Sequence, residues 1–131
     1  MTDPRDLWLF LPIGYLLSVL IETPVLVIGL SPRHSLAVRV AAGLWLTACT
    51  YPIVILVLRP LLDNRSAYLA VAETFAPVAE CVLFWLTFGQ AGQPTRGEQI
   101  RDAAVIVLAN LLSFGAGLLM DSLGWFAWLE T

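Results

Sequence analysis

Four long apolar runs, separated by short polar segments, dominate the chain. They cover about residues 7–30, 36–62, 67–88 and 103–120. Each is close to or longer than the roughly 20 residues with which an α-helix crosses the hydrocarbon core of a bilayer. The pattern predicts an all-α integral membrane protein with four transmembrane helices.

The segments that join these runs are short and contain residues that end helices and form turns. They are Ser31–His34, Asp63–Ser66 and Gly89–Glu98. Because such short connections make consecutive helices antiparallel neighbours, we expect an up-down bundle that forms one transmembrane domain over residues 1–131. Pro24, Pro52 and Pro77 lie inside the first three runs, and each removes a backbone donor, so we expect proline-kinked helices.

Small residues indicate where helices approach each other closely. The third run has Ala72, Ala76 and Ala79, and the fourth has Gly115 and Gly117. Their small side chains permit a close approach of neighbouring helices, which concerns packing rather than chemistry.

The composition supports a membrane location. Of the 131 residues, 59% are hydrophobic and 13% are charged, whereas a soluble domain has roughly 25% charged residues. The net charge is −3 and the basic residues form no cluster, so nothing in the sequence favours nucleic-acid binding. His34, the single histidine, and the distant Cys49 and Cys81 match no metal or cofactor motif, so we expect neither a metal nor a cofactor.

The arginines indicate the orientation, because cytoplasmic loops carry an excess of basic residues. Those that flank the first and third connections are Arg33, Arg39, Arg96 and Arg101. Those on the opposite side are Arg5, Arg59 and Arg65. This distribution predicts cytoplasmic first and third connections and termini outside, in the prokaryotic inner or plasma membrane.

Aromatic residues are expected to mark the outer interface of the membrane. The predicted aromatic belt consists of Trp8, Tyr68, Trp125 and Trp128. Residues 121–131 follow the fourth apolar run and are expected to form a short interfacial segment on the same side.

Polar side chains recur inside the apolar runs at the spacing of one helix face. Counted from the first and third connections at about 1.5 Å per residue, several fall at one depth near the middle of the bilayer. This layer comprises Glu22, Thr47, Thr50, Glu80 and Asn110. Ser113 follows Asn110 by about one turn, whereas Glu73 and Tyr51 fall closer to the outer interface. We take all of these as candidates for binding a proton, a cation or a substrate.

A charged carboxylate in the middle of a bilayer costs about 2.5–3.5 kcal/mol on insertion scales. The chain contains no lysine, and no arginine is predicted at the depth of Glu22 and Glu80. The least costly state of each is a protonated carboxyl that donates a hydrogen bond, and the two share a proton if they touch. Such carboxyls can load and release a proton or small cation. Alternatively, they and the nearby polar residues only join the helices by hydrogen bonds.

Three functions fit these features. The first is a small transport or permeation protein coupled to a proton or cation, acting as a homo-oligomer because four helices hardly enclose a pathway. The second is an accessory or structural subunit of a larger membrane complex. The third is a membrane-embedded enzyme that acts on a lipid or isoprenoid, with Glu22 and Glu80 as acid and base. The sequence contains no recognisable catalytic motif, so the enzymatic function has the least support.

In length, in helix number and in the acidic residue of its first run, Glu22, the chain is similar to small proton-coupled multidrug exporters. Those exporters have a glycine-rich third helix that carries a tryptophan, whereas residues 72–80 here read AETFAPVAE. The resemblance therefore concerns the four-helix architecture and assigns no role to individual residues.

Overall fold

A computed structural model of the chain describes residues 4–89 and 92–124. Within these two ranges the secondary structure is entirely helical. The helices that are long and apolar enough to cross a membrane are Trp8–Gly29, Leu36–Leu61, Arg65–Gly89 and Arg96–Ser122. The predicted all-α architecture is confirmed, with four helices that are long and apolar enough to span a membrane.

Two of the spans contain more than one helical segment. The first and last spans are single helices, α1 (Pro4–Gly29) and α5 (Arg96–Ser122). The second span comprises α2 (Leu36–Pro52), a π-helical segment (Ile53–Leu58) and the short α3 (Arg59–Leu61). The third comprises α4 (Arg65–Phe84) and a π-helical end (Trp85–Gly89).

The π-helical segment of the second span begins directly after a proline. Pro52 has no backbone N–H to donate, so the regular hydrogen-bond ladder is interrupted there. The N–H of Arg59 then donates to the carbonyl of Val54, five residues earlier, which is the π-helical pattern. The proline therefore coincides with a change of helix type within the span.

Helix α5 begins before its apolar run because its first turn is held by side chains. Thr95 Oγ1 accepts a hydrogen bond from the Glu98 N–H at 3.2 Å, and Glu98 Oε1 accepts one from the Thr95 N–H at 3.1 Å. This capping box satisfies backbone donors that have no partner within the helix. Hydropathy alone placed the span at 103–120, because the first two turns of the helix are polar.

The predicted interfacial segment, residues 121–131, is described only at its start. Asp121 and Ser122 belong to α5, which ends at Ser122. Trp125 and Trp128, two members of the predicted aromatic belt, lie outside the described residues.

The four spans surround a common interior. Helix α1 contacts α2 and α5, and α4 contacts the same two helices. At Gly43, α2 lies so close to α1 that an added Cβ would be 3.0 Å from the Cα of Thr23. By contrast, a Cβ at Gly115 or Gly117 would meet nothing within 4 Å, so the described part of the chain makes no use of the close approach that these two glycines permit.

The interior is packed at one end and hollow at the other. The apolar core lies toward the first and third connections and consists of Leu26, Leu30, Ala42, Leu46, Phe84, Ile106 and Ala109. A cavity of about 280 Å³ occupies the other half. Glu22 and Glu80 are buried where the two halves meet, so the structure separates a sealed end from an open end at their level.

The outer surface of the bundle is apolar. Large aliphatic side chains are more than half exposed on all four spans, among them Leu20, Ile28, Leu61, Val78, Leu86 and Leu119. Water does not favour such a surface, but the hydrocarbon of a bilayer accepts it. This surface agrees with the membrane location inferred from composition.

Candidate functional site

Glu22 joins three helices through its two carboxyl oxygens. The residue is on α1 and is 4% exposed. Thr47 Oγ1, on α2, lies 2.7 Å from Oε2, and Ser113 Oγ, on α5, lies 2.8 Å from Oε1. Both partners are uncharged hydroxyl groups, so no cation in these contacts neutralises the carboxyl.

Glu80 repeats this arrangement from the opposite side of the bundle. The residue is on α4 and is 3% exposed. Thr50 Oγ1, on α2, lies 2.9 Å from Oε1, and Asn110 Nδ2, on α5, donates to Oε2. Asn110 Nδ2 also donates to the carbonyl of Ile106 at 2.9 Å, which fixes the orientation of the amide.

The four partners come in pairs because of helical spacing. Thr47 and Thr50 are three residues apart on α2, and Asn110 and Ser113 are three residues apart on α5. Residues at this spacing lie on one helix face, about one turn apart. Each of these two helices therefore offers one partner to Glu22 and one to Glu80. The structure thus joins six of the sequence-predicted candidates in one hydrogen-bonded layer, in which Ser113 is partly buried and the other five are buried.

The two remaining candidates, Tyr51 and Glu73, line the cavity outside this layer. The Tyr51 hydroxyl packs against Gly14 of α1, where an added Cβ would overlap it. Glu73 is exposed, although it is on the same helix as Glu80. The structure therefore gives Glu73 an environment different from that of the two buried carboxyls.

The cavity connects the carboxyl layer with the far end of the bundle. Arg65 and Asp121 line it and form an exposed ion pair at 3.2 Å, so the cavity reaches the surface there. The guanidinium of Arg59 lies 5.0 Å from the ring centre of Tyr68, and both residues also line the cavity. The wall between mouth and layer is mostly apolar, with Phe10, Leu17, Ile21, Val54, Leu69 and Phe114 among its residues.

A second polar cluster, which the sequence analysis did not identify, seals the opposite end. Asp102 of α5 is 2% exposed. Its Oδ1 accepts a hydrogen bond from the Ser31 N–H at 2.7 Å, and its Oδ2 lies 3.1 Å from Ser31 Oγ and 2.9 Å from His34 Nε2. Arg33 Nη2 lies 3.4 Å from the same Oδ2. The first connection is therefore held against the start of α5.

Two further arginines hold the end of α1 at this sealed side. Arg39 donates to the carbonyls of Val27, Ser31 and His34. Arg101 Nε donates to the Gly29 carbonyl at 2.9 Å. These carbonyls include some left without a partner at the helix end, where positive charge is also favourable.

One signal in the sequence points to this cluster. Asp102 is four residues before Ile106 and eight before Asn110, so the three share a helix face. A carboxyl on the face that also carries a buried amide is expected to point inward. Its partners in the first connection, about 70 positions away in the chain, follow only from the three-dimensional packing.

Comparisons with models of known protein families, with curated proteins and with solved structures find no match for this chain. The geometry of the site consists of two buried carboxyls, uncharged hydrogen-bond partners and a cavity that reaches it from one side.

Proposed function

We propose that the protein is a small transport or permeation protein in which Glu22 and Glu80 load and release a proton or a small cation. The observation that supports this most is the position of the two buried carboxyls at the inner end of a cavity that reaches the surface. An ion entering the cavity reaches the carboxyl layer without crossing hydrocarbon. If these side chains only joined the helices, uncharged residues would do so at a lower free-energy cost than buried glutamates.

In this proposal the sealed end opens when the cavity closes. The antiparallel helices bend at Pro24, Pro52 and Pro77, which lack the donors that stiffen a regular helix. The buried Pro77 lines the cavity and the π-helical segment follows Pro52, so both lie where bending would reshape the cavity. The positive charge near the first and third connections supports an orientation with termini outside, in the prokaryotic inner or plasma membrane.

The proposed functional unit is a homo-oligomer. A single chain has an ion path on one side of its carboxyl layer only, since the apolar core that includes Leu26, Leu46 and Ala109 fills the other side. Pairing with a second copy would provide the additional walls that a complete pathway needs.

Proton movement across vesicle membranes tests the proposal. The purified chain is reconstituted with a pH-sensitive dye inside the vesicles, and a potassium diffusion potential is imposed. Wild-type protein is expected to admit protons, whereas Glu22→Gln and Glu80→Gln reduce the rate to that of empty vesicles. The matched control is Asp63→Asn, which changes an exposed carboxyl in the second connection, outside the wall of the cavity. Normal flux in both single variants and in the double variant would contradict the proposal.

A membrane-embedded enzyme is the second candidate, favoured by the mostly apolar cavity that reaches both carboxyls. A lipid or isoprenoid tail fits such a wall, and a carboxyl pair can act as acid and base. Mass spectrometry of the protein extracted gently from its own membranes distinguishes the two functions. A bound lipid of definite mass, converted to product on incubation, would favour the enzyme over the transporter.

A further inference from the structure

The hydroxyl beside Glu80 has two acceptors and only one hydrogen. Thr50 Oγ1 lies 3.0 Å from the carbonyl of Leu46 and 2.9 Å from Glu80 Oε1. A threonine hydroxyl donates one hydrogen bond and accepts others. If the hydroxyl donates to the Leu46 carbonyl, the contact with Glu80 needs a hydrogen on the carboxyl. If Glu80 is ionised, the same hydroxyl must donate to it instead.

The hydroxyl beside Glu22 has the same choice. Ser113 Oγ lies 2.8 Å from Glu22 Oε1 and 3.2 Å from the carbonyl of Asn110. The second oxygen of Glu80 faces the amide donor Asn110 Nδ2, and the second oxygen of Glu22 faces another hydroxyl, Thr47 Oγ1. Glu80 therefore has one oxygen, Oε2, that faces a group able only to donate, whereas both oxygens of Glu22 face hydroxyl groups. A contact between a carboxyl oxygen and a hydroxyl can run in either direction.

We propose that the ion loaded at this layer is a proton, and that Thr50 and Ser113 are positioning residues that accommodate it by rotating their hydroxyl groups. With the proton bound, Glu80 Oε1–H donates to Thr50 Oγ1, and the threonine hydrogen goes to the Leu46 carbonyl. When the proton leaves to the cavity, the threonine hydroxyl turns and donates to Oε1. The serine does the same between Glu22 Oε1 and the Asn110 carbonyl. One proton is exchanged per carboxyl, and no heavy atom needs to move.

A metal cation fits this arrangement less well than a proton. A metal cation needs several oxygen ligands, and at Glu80 the Oε2 atom already accepts from the Asn110 amide. Over residues 4–89 and 92–124, no three His, Cys, Asp or Glu side chains are grouped to share a metal ion. A proton binds to one lone pair of a carboxyl oxygen. It then supplies the hydrogen for the contact with Thr50 or Ser113 when that hydroxyl donates to its helix carbonyl.

The groups that form hydrogen bonds with Glu22 and Glu80 are all uncharged, so the two carboxyls are the groups of the layer that gain or lose a proton. Titratable side chains that interact with them include Tyr51 and Cys49 on α2 and Cys81 on α4. The charged groups Arg59, Arg65 and Glu73 also line the cavity, outside the contacts of the two carboxyls. Phenols and thiols are neutral at pH 7 in their ordinary state. Helices α1 and α4 contribute Glu22 and Glu80, which also interact with each other, and the contacts from α5 are an amide and a hydroxyl.

Infrared difference spectra of the purified wild-type protein between acid and alkaline pH test the inference. The bands of each carboxyl are defined as those lost in Glu80→Gln or Glu22→Gln. Wild type is expected to gain protonated carboxyl bands in acid. Thr50→Val, which keeps the shape of the side chain, is expected to shift the protonated Glu80 band to higher frequency, because the carboxyl loses its hydrogen-bond acceptor. Thr50→Ser keeps the hydroxyl and is expected to restore the wild-type band.

Thr74→Val is the matched control. Thr74 Oγ1 donates to the Ala70 carbonyl at 2.8 Å in the same one-turn pattern, but the residue is exposed and lies outside the hydrogen bonds of the layer. Its spectrum is expected to equal that of wild type, and Ser113→Ala is expected to move the Glu22 band only. Bands that do not change with pH, bands that Thr50→Val leaves unmoved, or bands that respond to sodium at fixed pH would each overturn the inference.

The inference gives the proposed transport function its ion, but the two fail separately. If the carboxyl bands change with pH and shift in Thr50→Val but vesicles show no proton flux, the transport function is contradicted. The proton exchange with rotating hydroxyl groups would then still stand. If vesicles show proton flux but the Glu80 band does not shift in Thr50→Val, the rotation of the hydroxyl groups is contradicted and the transport function stands.

Discussion

Replacement of Asp102 by asparagine is expected to lower the free energy of unfolding by about 3 kcal/mol. The side chain keeps its shape, but one anionic oxygen becomes an NH₂ group that faces the donors of the first connection. The amide oxygen can still accept from the Ser31 N–H, and the Ser31 hydroxyl can rotate. Arg33 cannot accept a hydrogen bond and loses the negative charge that lies 3.4 Å from it.

The magnitude follows from burial and from the number of partners. Hydrogen bonds to charged groups contribute about 1.5–3 kcal/mol each, and removing one member of a buried ion pair costs about 3–5 kcal/mol. Arg33 is only partly buried and some of the contacts can rearrange. The expected loss of unfolding free energy is therefore near the lower end of the range for buried ion pairs. Asp121→Asn provides the comparison, because its ion pair with Arg65 is exposed. Such pairs contribute about 0–1 kcal/mol.

Reversible unfolding in mixed micelles, titrated with SDS and followed by circular dichroism, measures both variants. Asp102→Asn is expected to unfold at clearly lower SDS than wild type, and Asp121→Asn close to wild type. If the two variants lost the same free energy, or if Asp102→Asn stayed within about 0.5 kcal/mol of wild type, the cluster would not stabilise the sealed end as described.

The same titration checks two further expectations. Gly43→Ala should lower the free energy of unfolding by about 1–2 kcal/mol, because the new Cβ would lie 3.0 Å from the Thr23 Cα and force α1 to move. Gly115→Ala is the control, since a Cβ there meets nothing within 4 Å, and it should leave stability unchanged. Equal losses in the two variants would contradict the close approach at Gly43. Thr95→Ala removes the N-cap of α5 and should lower stability by about 1 kcal/mol, whereas Thr95→Ser should not. Native mass spectrometry should detect a homo-oligomer; fixed stoichiometry with other chains would favour the accessory-subunit function instead.

Much of the architecture could be predicted because the bilayer restricts what a long apolar run can form. A run of about 20 apolar residues becomes a helix whatever its neighbours are, since every backbone group must be satisfied within it. Depth and helical spacing then placed Glu22, Thr47, Thr50, Glu80 and Asn110 at one level, and the structure joins them. Both inferences use properties local to one helix.

The features that were missed depend on contacts between helices or on polar helix ends. Asp102 begins the buried face of α5, but its partners in the first connection lie far away in sequence. The early start of α5 was readable from Thr95 and Glu98, a capping-box pair, although hydropathy placed the span later. The cavity and the close approach at Gly43 rather than at Gly115 result from how the helices pack, which no single-helix pattern reveals.

The central claim, that Glu22 and Glu80 exchange protons within the membrane domain, is tested most directly by counting protons. Solubilised wild-type protein and the double variant Glu22→Gln, Glu80→Gln are titrated in parallel from alkaline to acid pH with an indicator dye. Wild type is expected to take up more protons per chain, by up to one for each of the two buried carboxyls. Equal uptake by the two proteins, both folded by circular dichroism, would mean that these carboxyls stay in one protonation state and carry no proton.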